Sequence, residues 1–287
     1  LEATATYPEG GAVFTNAYHA KGEAVLNASK TLTGSTLAAD QFSFELKDEQ
    51  GNVLQTKKND ADGKVTFDAL EYTEKDIDKT YTYTVSEKNT DITGVTYDNT
   101  VYTVKVQIKD SKDSNGKLNV TATAEKDNKA VEEMTFANTF AGSVKLVKTS
   151  TEGRTLPGAE FALYAKNAKG DDYGLYTADN EKGLYTTDAN GQINVKNLPA
   201  NDYYFVETKA PDGYVVRKAS DGSDQKYTFK IGVENGDAGV VENAKANADL
   251  TVENDINGTN SITVTKKITC FDLDSLDEYE LTWPNQT

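Results

Sequence analysis

The stretch LNASKTL, residues 26–32, alternates apolar and polar side chains in the manner of a β-strand. Successive residues of a strand point to opposite faces of a sheet. One face therefore carries four residues, namely Leu26, Ala28, Lys30 and Leu32. An ammonium group thus lies in an apolar row. Taken alone, such a lysine is most simply a residue at a sheet edge whose amine reaches solvent, so other parts of the chain must decide its role.

The whole chain has the composition of an all-β protein. Its 287 residues suffice for two domains of ordinary size. Short runs of β-forming residues alternate with Asn-Gly and Asp-Gly turn signals, and no long segment shows helical periodicity. We therefore expect tandem Ig-like β-sandwich domains.

Charge and rare residues exclude several functions. The net charge of −16 disfavours binding to nucleic acid or to an anionic membrane, and no apolar run is long enough to span a bilayer. The single histidine, His19, and the single cysteine, Cys270, leave little for serine–histidine catalysis or zinc binding. The acidic loop Lys109–Gly116 lacks the spacing of a calcium loop and is more simply a hairpin turn. We expect neither a cofactor nor a metal.

The chain contains an internal repeat. DADGKVTFDAL at Asp60–Leu70 matches DANGQINVKNL at Asp188–Leu198 in pattern. Each copy is followed by an aromatic-rich strand that ends in a glutamate, YTYTVSE at Tyr81–Glu87 and YYFVE at Tyr203–Glu207. Two copies of one plan predict two related domains with a boundary near residues 140–143.

The same three polar residues interrupt apolar faces in both units. Each unit has a lysine in its opening strand, a glutamate midway and an asparagine in its closing strand. The residues are Lys30, Glu87 and Asn138 in the first unit, and Lys148, Glu207 and Asn254 in the second. Lysine and asparagine are 108 residues apart in the first unit and 106 in the second. Each residue alone is readily explained as a satisfied polar group, but the repeated order and spacing favour a shared purpose.

Such a triplet has a defined chemistry. Desolvation drives a lysine towards its neutral, nucleophilic amine and a glutamate towards its protonated acid. The acid would donate a hydrogen bond to the carboxamide oxygen of the asparagine and polarise its carbon. Amine addition, proton shuttling through the glutamate and loss of ammonia would leave a Lys–Asn isopeptide bond. Packing the partners together supplies the effective molarity that the reaction needs.

Several motifs carry a resemblance to known families. The second unit contains VKLVKTS at 144–150, LPGAEFALY at 156–164, ETKAPDGY at 207–214 and VEN at 252–254. Through these it resembles the collagen-adhesin B-type (CnaB, or SpaA-like) domain of Gram-positive surface proteins. The first unit contains SKTLTG at 29–34, YTVSE at 83–87 and FANTF at 136–140. It resembles the FctA-type major pilin domain of streptococci.

The resemblance implies Ig-like sandwiches with self-forming bonds, Lys30–Asn138 catalysed by Glu87 and Lys148–Asn254 catalysed by Glu207. It also implies a structural stalk or shaft segment of a pilus or adhesin, outside the cell and anchored to the cell wall. Neighbouring domains of the same chain, and other pilin subunits joined by sortase, would be its partners. The alternative is an adhesive module that binds a ligand on a host or neighbouring cell. No enzymatic activity is expected beyond single-turnover self-crosslinking.

Both ends of the chain have the pattern of incomplete domains. Residues 1–18 end in a Phe-x-Asn-x-aromatic signature around Asn16, as the first unit does at 136–140. Residues 258–287 contain Lys266 on an apolar face, as in an opening strand. We therefore expect an FctA-like domain at 19–140 and a CnaB-like domain at 141–257, cut from a longer array. Asn16 and Lys266 would be unpaired half-sites, although plain linker strands explain Lys266 equally well.

Overall fold

The computed structural model describes residues 17–112, 116–168, 172–233 and 244–257, and it is all-β as predicted. Asn16, Lys266 and Cys270 lie outside the described residues. The strands of the first unit are β1 Lys21–Ala24, β2 Asn27–Thr33, β3 Ser43–Lys47, β4 Val53–Lys58, β5 Lys64–Thr66, β6 Leu70–Thr73, β7 Thr80–Lys88, β8 Val95–Thr96, β9 Val101–Asp110, β10 Leu118–Lys126, β11 Lys129–Val131 and β12 Met134–Phe140. One turn of 3-10 helix, Glu74–Asp76, lies between β6 and β7.

The second unit follows after a single residue. Its strands are β13 Gly142–Ser150, β14 Glu160–Lys166, β15 Tyr173–Leu175, β16 Leu184–Thr186, β17 Gln192–Leu198, β18 Asn201–Lys209, β19 Tyr214–Val215, β20 Lys226–Ile231 and β21 Asn247–Ile256. Only Ala141 separates β12 from β13.

Each unit is a sandwich of two sheets. In the first, a sheet of order β11-β10-β9-β7-β3-β4 packs on a sheet of order β5-β2-β12-β8. Phe136 of the second sheet contacts Phe44 and Tyr102 of the first, with ring centroids 5.1 and 5.2 Å apart. In the second unit the sheets are β17-β13-β21-β19 and β15-β14-β18-β20, with β16 paired to β14. The tandem Ig-like fold class is thus confirmed.

The lysine and asparagine strands of the first unit are adjacent and parallel. β2 pairs with β12 so that Lys30 lies opposite Phe136 and Leu32 lies opposite Asn138. The asparagine is therefore two residues beyond the position that faces the lysine, and both side chains point into the sandwich.

The second unit repeats this register. β13 pairs in parallel with β21, with Lys148 opposite Val252 and Ser150 opposite Asn254. The same two-residue offset places lysine and asparagine next to each other on the inner face. In each unit these two paired strands are about a hundred residues apart in sequence, so the folding of the whole unit brings them together.

Burial follows the predicted alternation closely. β12 alternates buried and exposed residues along its whole length, and Lys30, Asn138, Lys148 and Asn254 are all at most 2% exposed. Ile256 is an exception, being 47% exposed, because it lies at the end of β21 and pairs only with the short strand β19. The side chain of His19 is 81% exposed, as expected of a solvent-facing residue.

Two local expectations can be compared with the strands. Strands β9 and β10 form the predicted hairpin, since they pair antiparallel with Asp110 opposite Leu118. The prediction that Lys30 lies in the first strand is wrong, because β1 precedes it and pairs with β6. β1 has only four residues, of which Ala24 alone is buried, so it is too short for a visible alternation.

Candidate functional site

The repeated turn fixes the backbone of the first lysine. The Asp60 carboxylate accepts hydrogen bonds from the backbone N–H groups of Asp62 and Lys64, at 3.0 and 2.7 Å. This turn closes through Gly63, whose φ of +85° favours glycine. The Gly63 carbonyl accepts a hydrogen bond from the backbone N–H of Lys30 at 2.7 Å. The turn therefore lies directly against the residue that carries the amine.

The second copy of the turn does the same for the second lysine. Asp188 accepts from the backbone N–H groups of Asn190 and Gln192, both at 2.8 Å. The Gly191 carbonyl accepts from the backbone N–H of Lys148 at 2.8 Å. In both units the repeated turn is therefore hydrogen-bonded to the backbone of the lysine strand.

In the first unit the three predicted residues meet in the core. The Lys30 amine (Nζ) lies 2.8 Å from Glu87 Oε2, and their side chains are 0% and 1% exposed. Asn138 Nδ2 donates to Glu87 Oε1 at 2.8 Å. The amine also lies 4.7 Å above the centroid of the Phe42 ring. Glu87, which comes from β7 in the opposite sheet, therefore bridges the amine and the carboxamide nitrogen.

A further contact sets the orientation of the carboxamide. The backbone N–H of Asp98 donates to Asn138 Oδ1 at 2.8 Å. Because an N–H group can only donate, the atom that it meets must be the oxygen. The expectation that Glu87 donates to this oxygen is therefore wrong, since Asp98 occupies it and Glu87 faces the nitrogen.

Burial dominates the ionisation of the first pair. Desolvation lowers the pKa of Lys30 from its ordinary value, although the neighbouring Glu87 opposes the change. Desolvation likewise raises the pKa of Glu87, against the influence of Lys30. Both changes favour the neutral amine and the neutral acid.

The second unit places its residues similarly but bonds them differently. Asn254 Nδ2 donates to Glu207 Oε1 at 2.8 Å. The Lys148 amine donates to the backbone carbonyls of Thr149 and Val252, at 3.3 and 3.2 Å. Among the described residues, none bonds to the buried atoms Glu207 Oε2 and Asn254 Oδ1. Leaving a buried polar atom without a hydrogen bond costs free energy. A change at this site that gives these two atoms partners is therefore favourable.

The ionisation of the second site is also governed by burial. Desolvation lowers the pKa of Lys148 to about 8, against the attraction of Glu207. Desolvation raises the pKa of Glu207, which the amine and the hydrogen bond from Asn254 oppose. At pH 7 about a tenth of this lysine is therefore the uncharged, nucleophilic amine, far more than for a solvent-exposed lysine.

Both arrangements suit the formation of an amide from an amine and a carboxamide. Each holds a buried amine beside a carboxamide on an adjacent strand, with a carboxyl group against the carboxamide nitrogen. Across the ranges that the structure describes, no cluster of three or more His, Cys, Asp or Glu side chains could hold a metal ion. In those same ranges no helix is long and apolar enough to cross a membrane.

Sequence reasoning missed Asp98. A local signal exists, because the Asp98 carboxylate accepts from the backbone N–H of Thr100 at 2.9 Å, as in an Asx-turn. Nothing in that signal shows that the turn lies beside Asn138, which is 40 residues away in sequence.

Two protein-family models match the chain. Residues 26–141 match the FctA family, described as a Spy0128-like isopeptide containing domain. Residues 142–247 match the SpaA family, described as a prealbumin-like fold domain.

The curated relatives are much longer than the segments that match this chain. The serine-aspartate repeat-containing protein F of Staphylococcus epidermidis is 28% identical over 190 residues, which are 62% of this chain and 9% of that protein. The collagen adhesin of Staphylococcus aureus is 32% identical over 110 residues, which are 38% of this chain and 8% of that protein. The chain thus spans about a tenth of the length of these relatives.

A search of solved structures matches proteins of low sequence identity. The major pilin protein (T-13) of Streptococcus pyogenes is 17% identical, with a TM-score of 0.36, over 84% of this chain and 100% of that chain. The Bacillus anthracis TIE protein is 22% identical, with a TM-score of 0.39, over 82% of this chain and 34% of that chain. The two family matches together cover residues 26–247, and the chain therefore carries an FctA isopeptide-containing domain followed by a SpaA prealbumin-like domain.

Proposed function

We propose that this chain is a load-bearing segment of a pilus shaft or adhesin stalk, stabilised by two self-formed isopeptide bonds. The bonds are Lys30–Asn138, formed with Glu87, and Lys148–Asn254, formed with Glu207. The segment acts at the outer surface of a Gram-positive cell, in a protein anchored to the cell wall. Its partners are further domains of the same chain and sortase-linked pilin subunits, and its units span residues 19–140 and 141–257.

One observation carries this proposal above the others. Both units place lysine and asparagine on adjacent parallel strands with the same two-residue offset, and both bring a buried glutamate from the opposite sheet to the asparagine. An isolated buried polar triplet has many explanations. Its repetition in two sandwiches of different sequence favours a chemical purpose.

The geometry of the first unit supports a proton shuttle. Neutral Lys30 attacks Asn138 Cγ, so that a new N–C bond forms and the C=O electron pair moves to Oδ1. Glu87, which is a neutral acid at the start, delivers its proton to Asn138 Nδ2 through Oε1 and then accepts one from Lys30 Nζ through Oε2, since it contacts both nitrogens. The C=O bond re-forms, the Cγ–Nδ2 bond breaks and ammonia leaves. Glu87 ends as it began, and no oxidant is needed.

The family assignments support the structural role. Pilins and adhesins of these families are structural proteins and not enzymes, and the FctA description itself names an isopeptide. A crosslink between a strand near the start of a unit and its last strand suits a chain under tension. It also replaces disulfides in a chain with a single cysteine.

The alternative, binding of a ligand, has weaker support. The structure contains an open groove between β1, β6 and β10, lined by residues 21–23, 71–73 and 116–121. Charged and polar residues such as Lys21, Glu71 and Lys117 make up much of this lining, whereas a ligand cleft is usually apolar or aromatic. The name of the collagen adhesin relative therefore gives a reason to test collagen but no site for it.

The intact mass of the purified chain, followed by peptide mapping, tests the proposal. We expect a mass lower than that of the unmodified chain by two ammonia molecules, with branched peptides that join Lys30 to Asn138 and Lys148 to Asn254. The variant Glu87→Gln/Glu207→Gln keeps the shape of both sites and should show the full unmodified mass. A folded wild-type chain with the full mass would contradict the proposed chemistry.

A further inference from the structure

Asp98 is held firmly against the closing strand of the first unit. Its Oδ2 accepts a hydrogen bond from the backbone N–H of Ala137, and its Oδ1 accepts one from the backbone N–H of Thr100, both at 2.9 Å. Ala137 immediately precedes Asn138. The carboxylate therefore ties its own loop to the strand that carries the reacting carboxamide, which leaves the backbone N–H of Asp98 2.8 Å from Asn138 Oδ1.

We propose that Asp98 supplies the oxyanion donor for the first isopeptide bond. Its backbone N–H stabilises the charge that develops on Asn138 Oδ1, and its carboxylate is the positioning group that holds this N–H in place. The inference rests on the proposed function and adds a role that Glu87 does not fill.

The reaction needs such a donor at one defined moment. When Lys30 Nζ bonds to Asn138 Cγ, the C=O electron pair moves onto Oδ1, which becomes negatively charged in the tetrahedral intermediate. Glu87 bonds to the two nitrogens, whereas the oxygen accepts from the backbone N–H of Asp98. A fixed N–H group already 2.8 Å from the oxygen stabilises the charge without reorganisation. The pair then returns to re-form C=O as the Cγ–Nδ2 bond breaks and ammonia departs.

The charge of Asp98 raises the pKa of both Glu87 and Lys30, so it favours the protonated acid but opposes the neutral amine. Burial opposes ionisation of Asp98, but hydrogen bonds from Thr100 and Ala137 outweigh it and hold its pKa below the ordinary value. The resulting negative charge adds to the effect of burial in raising the pKa of Glu87. Glu87 thus keeps the proton that the leaving nitrogen requires.

The second unit supplies an internal control, because it lacks an aspartate at the matching position. β8 pairs Thr96 with Thr139, the residue after Asn138, and β19 pairs Val215 with Asp255, the residue after Asn254. The residue two positions after Val215 is Arg217. Its guanidinium donates to the Asp255 carboxylate at 3.1 and 3.2 Å, an exposed ion pair and not a clamp on the preceding strand residue.

The rate of each bond in the full chain tests the proposal. The chain is made by cell-free translation, quenched with acid at intervals and mapped, so that the two crosslinks are counted separately. We expect Asp98→Ala to slow formation of Lys30–Asn138 at least tenfold, approaching the ~10²-fold loss known for removing an oxyanion donor. The bond Lys148–Asn254 should form at the wild-type rate. Asp98→Asn, which keeps one acceptor oxygen, should restore part of the lost rate.

A second measurement does not depend on the folding of an Asp98 variant. In the Glu87→Gln chain, where the first bond does not form, the amide proton of Asp98 should exchange slowly with solvent. Adding Asn138→Ala should release that protection. Exchange as fast as that of an exposed loop amide would overturn the proposal, and so would an unchanged rate of the first bond in Asp98→Ala. A wild-type chain with neither crosslink would instead overturn the proposed function on which the inference rests.

Discussion

At the level of single residues, burying the two lysine amines costs free energy of desolvation. Formation of the isopeptide bonds would remove that cost. A buried charge is unfavourable unless it is paired, and a pair is stable only when its remaining polar atoms are satisfied. Lys30 and Glu87 meet at 2.8 Å with Asn138 as a third member. Conversion of the amine and carboxamide into a neutral amide would remove the ionisable lysine from the core altogether.

Replacing Glu87 with glutamine should prevent the Lys30–Asn138 bond while keeping a side chain of the same size. We expect Glu87→Gln to lack the first crosslink, so that the chain is lighter than its unmodified mass by one ammonia molecule. By analogy with a disulfide, a crosslink that closes a loop of ~100 residues stabilises by about 4.7 kcal/mol in the chain-entropy model. The melting temperature of the first unit should therefore fall by about 20 °C or more, as scanning calorimetry would measure.

Glu45→Gln is the matched control for this change. Glu45 lies on the neighbouring strand β3, where it forms partly exposed ion pairs with Lys47 and Lys88. Such ion pairs contribute little to stability. We therefore expect the Glu45→Gln chain to form both crosslinks and to keep nearly the wild-type melting temperature. Equal melting temperatures for Glu87→Gln and the wild type would argue against a crosslink in the first unit.

The ionisation of Lys148 predicts how stability depends on pH when its bond is absent. In an Asn254→Ala chain the amine stays free, and burial holds its pKa near the value of about 8. In the unfolded chain its pKa returns to 10.5. Between these values the unfolded state binds a proton that the folded state has lost, so the free energy of unfolding rises with pH, by about 3 kcal/mol in total.

Urea denaturation of the second unit at pH 8 to 10.5 checks this prediction. The double variant Asn254→Ala/Lys148→Met has no amine at this position and should lack this part of the slope. Identical pH dependence in the two variants would show that Lys148 is charged in the folded state.

At the scale of the element, the turn and the strand pairing place the lysines. The Asp-x-x-Gly turn donates no side chain to the site, yet its glycine carbonyl accepts from the lysine backbone in both units. A Cβ atom on Gly63 would collide with the Lys30 carbonyl oxygen, and one on Gly191 would lie 2.8 Å from that of Lys148. Glycine is therefore required at these positions for close approach as well as for its positive φ.

Gly63→Ala should thus disturb the lysine strand more than a comparable change elsewhere. Gly51 has the same φ of +85°, but a Cβ atom at this position would meet no heavy atom within 4 Å, so Gly51→Ala measures the conformational cost alone. We expect Gly63→Ala to destabilise the first unit by at least about 1 kcal/mol more than Gly51→Ala in urea denaturation. It should also slow the Lys30–Asn138 bond in a timed mass measurement. Equal effects of the two substitutions would show that contact between turn and strand is unimportant.

At the scale of the whole molecule, the two crosslinks would form one covalent load path. β12 carries Asn138 and β13 carries Lys148, and only Ala141 separates these strands. Tension that enters at Lys30 would cross to Asn138, follow the chain to Lys148 and cross again to Asn254. The long segments between each lysine and its asparagine would carry no load.

Single-molecule extension of the chain measures this directly. We expect the wild type to show no unfolding step from either unit, because the bonds bypass the folded segments. Glu87→Gln should release the first unit, adding about 350 Å of extended chain for the 108 residues between Lys30 and Asn138. Full-length steps from both units of the wild type would refute the load path.

The alternation of apolar and polar residues is enough to predict which side chains face the cores. Strand alternation is local, so Lys30, Glu87 and Asn138 could be placed on apolar faces, as could Lys148, Glu207 and Asn254, and their burial is confirmed. The repeat likewise predicted two related sandwiches, because the pattern of a glycine turn followed by a strand is local in sequence and can be recognised in each copy.

Long-range strand pairing, by contrast, determines which of these residues lie next to each other. The parallel pairing of β2 with β12, and of β13 with β21, joins strands more than a hundred residues apart, and no local pattern encodes that register. Asp98 remained hidden for the same reason, since its hydrogen bonds to Ala137 and Asn138 exist only once the loop after β8 lies against β12. The alternation of residues along a strand determines which face of the sheet a side chain occupies. The pairing of strands distant in sequence determines which other side chains it contacts.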